Sequence, residues 1–396
     1  MGTIFKERTK VDNARRIFLD AIHPIGDTEI IPVGACPGRV LASEVIAQRN
    51  VPHYRRAAMD GYAVRSSDTI GASPTNPIML HVDDEITEGV GVRVHTGSPV
   101  PEGADAVIMI EDTCLIGDML EVRAQVHPHK HVGCVGEDIH EGEKVLSNGH
   151  LLRPCDSAVI ASLGIQSVLV YRRPVVAVIP TGEELVPRTT AGIPPSGMVL
   201  ETNSLMVGLY VEKWGAYARY CDIVLDKPNL IREAIQSNLD ADMIVICGGT
   251  SVGERDHVPE VVDSLGKILI HGVGLSPGKP TALGIIGKVP VVCLPGYPVA
   301  GLVGLFAFAR AALRKVGHVP YIPDTVVRLP LKSKISSRIG YMTYARVVID
   351  NDVVYPLMTS GSGVLSSVAK SDGFVIVPEN VEGYVEGQDV DVVLID

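Results

Sequence analysis

The spacing of apolar and polar positions changes texture several times along the chain, and each change predicts a different kind of element. Residues 3–23 carry apolar positions at helical period and run into Pro24, which predicts a helix ended there. A second helix is expected around 38–45. From about 50 to 140 the runs shorten and become β-prone, at 78–82, 91–95, 106–110 and 120–126, with Gly, Pro and Asp turns between them. A helix over 155–163 and a strand over 167–171 follow. Between 174 and 316 the pattern is regular: an apolar run at 175–179, a helix at 204–214, a strand at 220–224, a helix at 230–239 and a buried strand at 243–247. Alternating strands and helices predict a mostly parallel sheet with helical crossovers. Two apolar runs, 282–286 and 289–294, flank Gly287-Lys288 as a hairpin, and a long apolar helix over 298–315 closes the segment. Residues 321–396 return to short strands with frequent Gly and Asp, the texture of a small β-barrel or sandwich.

The expected fold class is therefore multidomain α/β plus β. Four parts are expected: a linking helical/β domain from 1–48 and 141–172, a β-rich domain at 49–140, an α/β domain at 173–320 and a C-terminal β domain at 321–396. A length of 396 residues is compatible with that count at roughly 150 residues per domain.

Composition narrows the function. A hydrophobic share of 46% and a charged share of 20% describe a folded chain with ample aliphatic core. The net charge of −11 argues against nucleic-acid or anionic-membrane partners, unless a local cationic pocket or a bound metal overrides the mean field. The 7 cysteines are scattered, odd in number and without a C-x-x-C pair, so neither a disulfide framework nor a structural zinc site is expected, and reduced thiols in a cytoplasm fit best. Lys6 is followed by no apolar run, so no signal peptide is expected. The apolar stretch from 298 to 313 is too short to span a bilayer and reads as a buried helix.

Candidate chemistry gathers at the ends of the predicted parallel strands, where open α/β sheets bind ligands. Three polar loops lie there: Thr181-Gly182-Glu183-Glu184, then Gly248-Gly249-Thr250-Ser251-Val252-Gly253 followed by Asp256, then Ser276-Pro277-Gly278-Lys279-Pro280. Glycines let backbone N–H groups converge on an anion, and Lys279 adds positive charge. Glu184, Asp226 and Asp256 would repel a phosphate unless a hard divalent cation lies between them, and magnesium suits that arrangement. Taken singly, each loop is equally a turn, and Asp226, before Pro228, is by default a helix N-cap. Their coincidence on one sheet edge favours a site. In the β-rich part, Asp60 precedes Gly61, and Thr96 opens a Gly- and Pro-rich run. His127, His129, His131 and His140 lie in a loop without ligand pairs on one regular element, which disfavours a metal reading.

Seven runs, in order, resemble the MoeA family of molybdopterin molybdenumtransferases, related to the E domain of gephyrin. They are Met59-Asp60-Gly61-Tyr62-Ala63-Val64, the run 96–107, Gly136-Glu137-Asp138, Thr181-Gly182-Glu183-Glu184-Leu185, the run 248–253, Pro277-Gly278-Lys279-Pro280 and Leu294-Pro295-Gly296-Tyr297-Pro298-Val299. The runs from Thr181 onward are shared with MogA-type adenylyltransferases, and the Asp60 and Thr96 runs favour the transferase. The resemblance implies an elongated homodimer with a MogA-like three-layer α/β module and a C-terminal β-barrel, its active site at the subunit interface. It implies insertion of molybdate or tungstate into adenylylated molybdopterin, with release of AMP, supported by magnesium. A MogA/MoaB-type adenylyltransferase is an implied partner. By the same resemblance Asp60, Thr96, Asp138, Glu184, Asp226 and Asp256 are the expected catalytic residues, with Glu184, Asp226 and Asp256 bearing the metal. Thr181, Gly182, Gly248, Gly249, Thr250, Ser251, Gly253, Ser276, Gly278, Lys279, Pro295 and Pro298 are the expected substrate contacts. The chain departs from the usual family residues at Gly133, Gly272 and Ser276, each in place of a basic residue, at Tyr297 in place of Asn, and at Glu201 in place of Asp. Two alternatives remain: a pterin-binding scaffold or carrier with weakened catalysis, and a molybdopterin adenylyltransferase.

Overall fold

The computed structural model describes residues 8–250, 257–358 and 361–395. Compactness divides the chain into two units, one of residues 1–29, 38–42 and 170–396, the other of residues 30–37 and 43–169.

The first unit is built on a six-stranded sheet. Its order is Tyr217–Tyr220, Val175–Pro180, Met243–Cys247, Val289–Leu294, Ala282–Ile286 and Lys267–His271. The first four strands are parallel, and the hairpin of 282–286 with 289–294 and the edge strand Lys267–His271 are antiparallel. The apolar runs are unbroken because both faces are covered. Val176, Val178 and Val245 face a core shared with Phe18, Val207, Val211 and Leu302. Ala177, Ile179 and Ile244 face a second core with Ile231, Ile235, Val258 and Val262. Helices on both sides of a mostly parallel sheet make the expected three-layer module.

The C-terminal strands of this unit curl into a barrel. Val326–Pro330 pairs Asp389–Leu394, which pairs Gly373–Val377, then Met342–Asp350, then Val353–Met358. Closure comes from Leu331, which bridges Val354. Inside lie Ala345, Val347, Val375, Val390 and Val392.

The second unit holds another six-stranded sheet, in the order Ala106–Met109, Gly61–Val64, Val90–Val94, Ile78–Val82, Met119–Val122 and Thr113–Ile116. Gly61 is required there, since a Cβ would meet the Ile108 carbonyl oxygen at 1.8 Å. The helix Pro154–Ser162 starts on Arg153, and Asp156 returns its carboxylate to the Arg153 N–H at 2.7 Å.

Several expectations are corrected. The first helix spans Val11–Asp20 rather than 3–23, because Thr9 is extended and bridges Val273; residues 3–7 lie outside the described residues. No helix forms at 38–45: Gly38 takes φ 78° and Leu41 bridges Val170. The strand expected at 220–224 is Tyr217–Tyr220, with Val224 keeping only a bridge to Thr181. The helix Val258–Leu265 and the strand Lys267–His271 were not anticipated. The helix from Pro298 to Val316 is continuous but carries a π turn at Leu305–Ala309.

Candidate functional site

At the carboxyl ends of Val175–Pro180, Met243–Cys247 and Val289–Leu294 the three-layer module opens a cleft of about 810 Å³. Its floor follows from the strand register. Thr181 extends the first strand, donates its N–H to Cys247 at 2.9 Å and bridges Val224. Gly248 donates to the Leu294 carbonyl at 3.0 Å, and Gly296 comes close enough that a Cβ on it would lie 3.6 Å from the Gly248 Cα. Glycine is required at 248: φ is 119°, and a Cβ would lie 2.2 Å from the Thr181 carbonyl oxygen. Gly249, at φ 61°, would press a Cβ onto Val258 at 2.6 Å.

Thr181 and Thr250 both line this cleft. The two residues are 3% and 2% exposed, and neither Oγ1 has a hydrogen-bond partner among the described residues. Leaving a buried hydroxyl unsatisfied costs about 1–3 kcal/mol, so a pair on one cleft makes it the candidate ligand site. Beneath them, burial pushes the Cys247 thiol far up, so it stays protonated and inert.

The acids lie around the floor. The Glu184 carboxylate folds back toward Gly182, where a Cβ would come 2.8 Å from Oε2. Asp226 is not the helix N-cap that its sequence context suggested: Lys227 holds that position, and Asp226 lines the cleft. Glu201 is buried at 4% exposure and accepts from the Ser204 N–H at 2.7 Å and the Ser204 hydroxyl at 2.6 Å, tying down the start of the helix Asn203–Lys213. Asn203 then donates its side-chain amide to the Gly296 carbonyl at 2.7 Å, which ties that helix to the Pro295 turn.

Of the sequence-predicted residues, Thr181, Glu184, Asp226, Gly248, Gly249, Thr250, Pro295 and Pro298 line this cleft. Gly182 is buried behind them, its N–H bonded to the Val224 carbonyl at 3.1 Å. From the third loop Pro280 reaches the lining, while Ser276, Gly278 and Lys279 do not. Gly278 instead accepts from the Thr281 hydroxyl at 2.7 Å and shapes the loop, and Lys279 takes the Val273 N–H on its carbonyl at 3.0 Å. Ser251, Gly253 and Asp256 lie outside the described residues. Sequence reasoning passed over Asn203 as a lining residue and noted Glu201 and Tyr297 only as departures; Tyr297 stands inside the 294–299 run, whereas no motif surrounds Glu201 and Asn203.

The β-rich unit brings together its own predicted pair. Thr96 donates its N–H to Asp60 Oδ1 at 2.6 Å and its hydroxyl to the same oxygen at 3.1 Å. These bonds, the backbone one foremost, with His95 and Arg93 nearby, hold the Asp60 carboxyl below its ordinary range. Asp60 stays exposed on its side chain. Asp138 is also exposed, in a turn whose N–H bonds the Val51 carbonyl at 3.1 Å. Its neighbour Glu137 pairs with Arg56 at 2.6 Å, so a cation stands beside the position that Gly133 leaves uncharged.

Among the described residues no cluster of three His, Cys, Asp or Glu side chains is arranged to hold a metal by itself. Glu184 and Asp226 do offer hard oxygen donors on one cleft. Two carboxylates completed by water and substrate phosphate is how magnesium is usually held, so the residues present fit that ion better than a closed zinc site.

A three-layer module with its cleft at the carboxyl edge, joined to a β-barrel and a separate β-rich unit, defines a multidomain α/β ligand-binding protein. Family comparison makes it specific. Residues 9–164 match the MoeA N-terminal region (domain I and II), 177–315 the family described as "Probable molybdopterin binding domain", and 328–395 the MoeA C-terminal region (domain IV). A Methanocaldococcus jannaschii chain named for molybdopterin biosynthesis is 38% identical over 387 residues, covering 96% of this chain and 94% of the relative. A Mycobacterium tuberculosis molybdopterin molybdenumtransferase 2 is 33% identical over 376 residues, covering 89% and 91%. The crystal structure of a Pyrococcus horikoshii molybdopterin biosynthesis moeA protein matches with a TM-score of 0.79 at 32% identity, over 98% of this chain and 100% of that one. The chain belongs to the MoeA family, the molybdopterin molybdenumtransferases of molybdenum cofactor biosynthesis.

Proposed function

We propose that this enzyme takes adenylylated molybdopterin and molybdate, or tungstate, and releases AMP and the metal-loaded pterin cofactor. The observation that carries the proposal is the cleft itself: buried hydroxyls without partners among the described residues, a glycine floor and two carboxylates lie on one strand edge. In this reading the glycine floor and the Thr181 and Thr250 hydroxyls hold phosphoryl oxygens. Glu184 and Asp226 hold magnesium, which when bound would neutralise the charge developing on the departing phosphate. Asp256 joins them by the family pattern. Lys279 supplies positive charge by the family pattern, and Asp60, Thr96 and Asp138 position the oxyanion or the adenylate.

We further propose a homodimer whose active site is completed across the subunit interface, and the four-part division at 1–48 with 141–172, 49–140, 173–320 and 321–396. A MogA/MoaB-type adenylyltransferase is the proposed supplier of the substrate. Among the described residues no helix is long and apolar enough to cross a membrane.

The test is release of AMP from adenylylated molybdopterin with magnesium and with molybdate or tungstate in turn. Oxyanion-dependent release supports the reading. Tight pterin binding with no AMP release under any metal overturns it in favour of a scaffold, and activity surviving deletion of residues 1–172 would favour an adenylyltransferase. Mixing Asp60→Asn with Asp226→Asn subunits tests the shared site: recovery of activity in the mixture supports it, and none overturns it.

A further inference from the structure

The cleft has two unlike walls. Its floor is polar, with the Thr181 and Thr250 hydroxyls buried and without partners among the described residues. Its rim is apolar and open: Tyr297 is 66% exposed, and Leu200 and Leu365 are each 36% exposed on the same lining. An apolar rim over a few placed polar groups is the usual lining of a small-molecule site.

Tyr297 is the largest of them and is held from behind. Pro298 starts the helix Pro298–Gly304 immediately after it, and the Tyr297 carbonyl accepts the Gly301 N–H at 2.9 Å. The Val299 N–H is bonded to the Ser362 carbonyl at 2.9 Å, which brings the loop of Gly363 against the ring. A Cβ on Gly363 would lie 3.4 Å from Tyr297 Cδ1, so glycine lets backbone pack on the ring from that side while the rest stays open. Few rotatable bonds and a fixed backbone make such a ring a low-entropy stacking surface.

We infer that Tyr297 is the stacking shelf for a planar heteroaromatic ring of the substrate, adenine or pterin, whose phosphate is hydrogen-bonded by Thr181 and Thr250. Stacking uses only the faces of the ring, so its polar edge remains in water while the phosphate satisfies the two buried hydroxyls. Tyr297 thereby sets which end of the substrate lies toward the solvent. The inference deepens the transferase reading and rests on it for the identity of the ring.

The experiment is isothermal titration of the full chain with AMP, with 6-hydroxymethylpterin phosphate and with ring-free ribose 5-phosphate. Tyr297→Ala is expected to weaken one ring-bearing probe by about ten-fold or more, to leave ribose 5-phosphate unchanged, and to be rescued by Tyr297→Phe. The probe that responds identifies the ring. Thr181→Val and Thr250→Val are expected to weaken all probes that occupy the cleft, ribose 5-phosphate included. Equal binding of both ring-bearing probes to wild type and Tyr297→Ala overturns the shelf, as does an equal loss of ribose 5-phosphate or no binding by the wild type. Tyr297-dependent AMP binding without oxyanion-dependent AMP release would leave the shelf standing and sink the reaction.

Discussion

In the β-rich unit Thr96 gives both its N–H and its hydroxyl to Asp60, whereas in the three-layer unit the hydroxyls of Thr181 and Thr250 are given to nothing among the described residues. The first pair is exposed and already satisfied. It is held in shape before any ligand arrives, at little cost to the fold, and it keeps a carboxylate ionised. The second pair is buried and without partners among the described residues, a cost that the folded protein carries. One unit thus offers a preset charge and the other an unfilled set of hydrogen bonds. Stability and ligand affinity should therefore respond in opposite ways to mutation in the two places.

The largest effect that separates them is expected from Gly248→Ala. Its Cβ would lie 2.2 Å from the Thr181 carbonyl at a φ of 119°, so the floor must shift. A loss of about 2–4 kcal/mol of stability and of turnover by roughly 100-fold or more is expected, read by denaturant unfolding and AMP release. Near-normal turnover would show that this floor does not hold the reacting phosphate.

Next comes Asp60→Asn, which keeps an oxygen for Thr96 but removes the charge. Turnover should fall by about 100-fold or more while the melting temperature stays within about 2 °C. Normal turnover would remove Asp60 from the site and leave the three-layer cleft to act alone. Thr181→Val tests the other side of the comparison. Removing an unsatisfied buried hydroxyl with little change of shape should leave the free protein as stable or more stable by about 1 kcal/mol, while substrate binding weakens about ten-fold. If the free protein is instead destabilised, the hydroxyl has a partner and the comparison fails.

The smallest effect is in pH. The folded carboxyl of Asp60 titrates below its ordinary value, so its contribution to stability is present above the unfolded value of about 3.9 and is lost as pH falls through the lower folded one. Thr96→Val keeps the backbone donor and loses the hydroxyl, and should move the Asp60 titration upward, toward the unfolded value. Carbon-detected NMR titration of the carboxyl reads this directly. An unmoved titration would mean that the backbone bond alone sets it.

Parts of this were legible from residues alone, and the reasons differ by element. The strands Val175–Pro180, Met243–Cys247 and the hairpin 282–294 were readable because a sheet covered on both faces needs unbroken apolar runs, and few other elements make them. The region 38–45 misled because Leu41 and Val45 stand at near-helical spacing, yet Gly38 turns the chain into the left-handed region first. The site was legible where glycine and carboxylate occur side by side, as at Gly248-Gly249 and Thr181-Gly182-Glu183-Glu184. It was not legible at Asn203 or Leu365, and the 294–299 run marked Pro295 and Pro298 but not the place of Tyr297 on the rim, which only folding sets.

The chain by itself determined the strand and helix order of the three-layer module, the acidic charge and the motifs that mark the family, because period, glycine and proline act within a few residues. Tertiary structure alone decided that Asp226 faces the cleft rather than capping its helix, that Ser276, Gly278 and Lys279 stay off the lining while Pro280 reaches it, and that two threonines 69 positions apart share one floor. Those outcomes depend on strand register and on the close approach of Gly248 and Gly296. Such contacts between distant residues are set by how the two faces of the sheet are packed and leave no local pattern in the sequence.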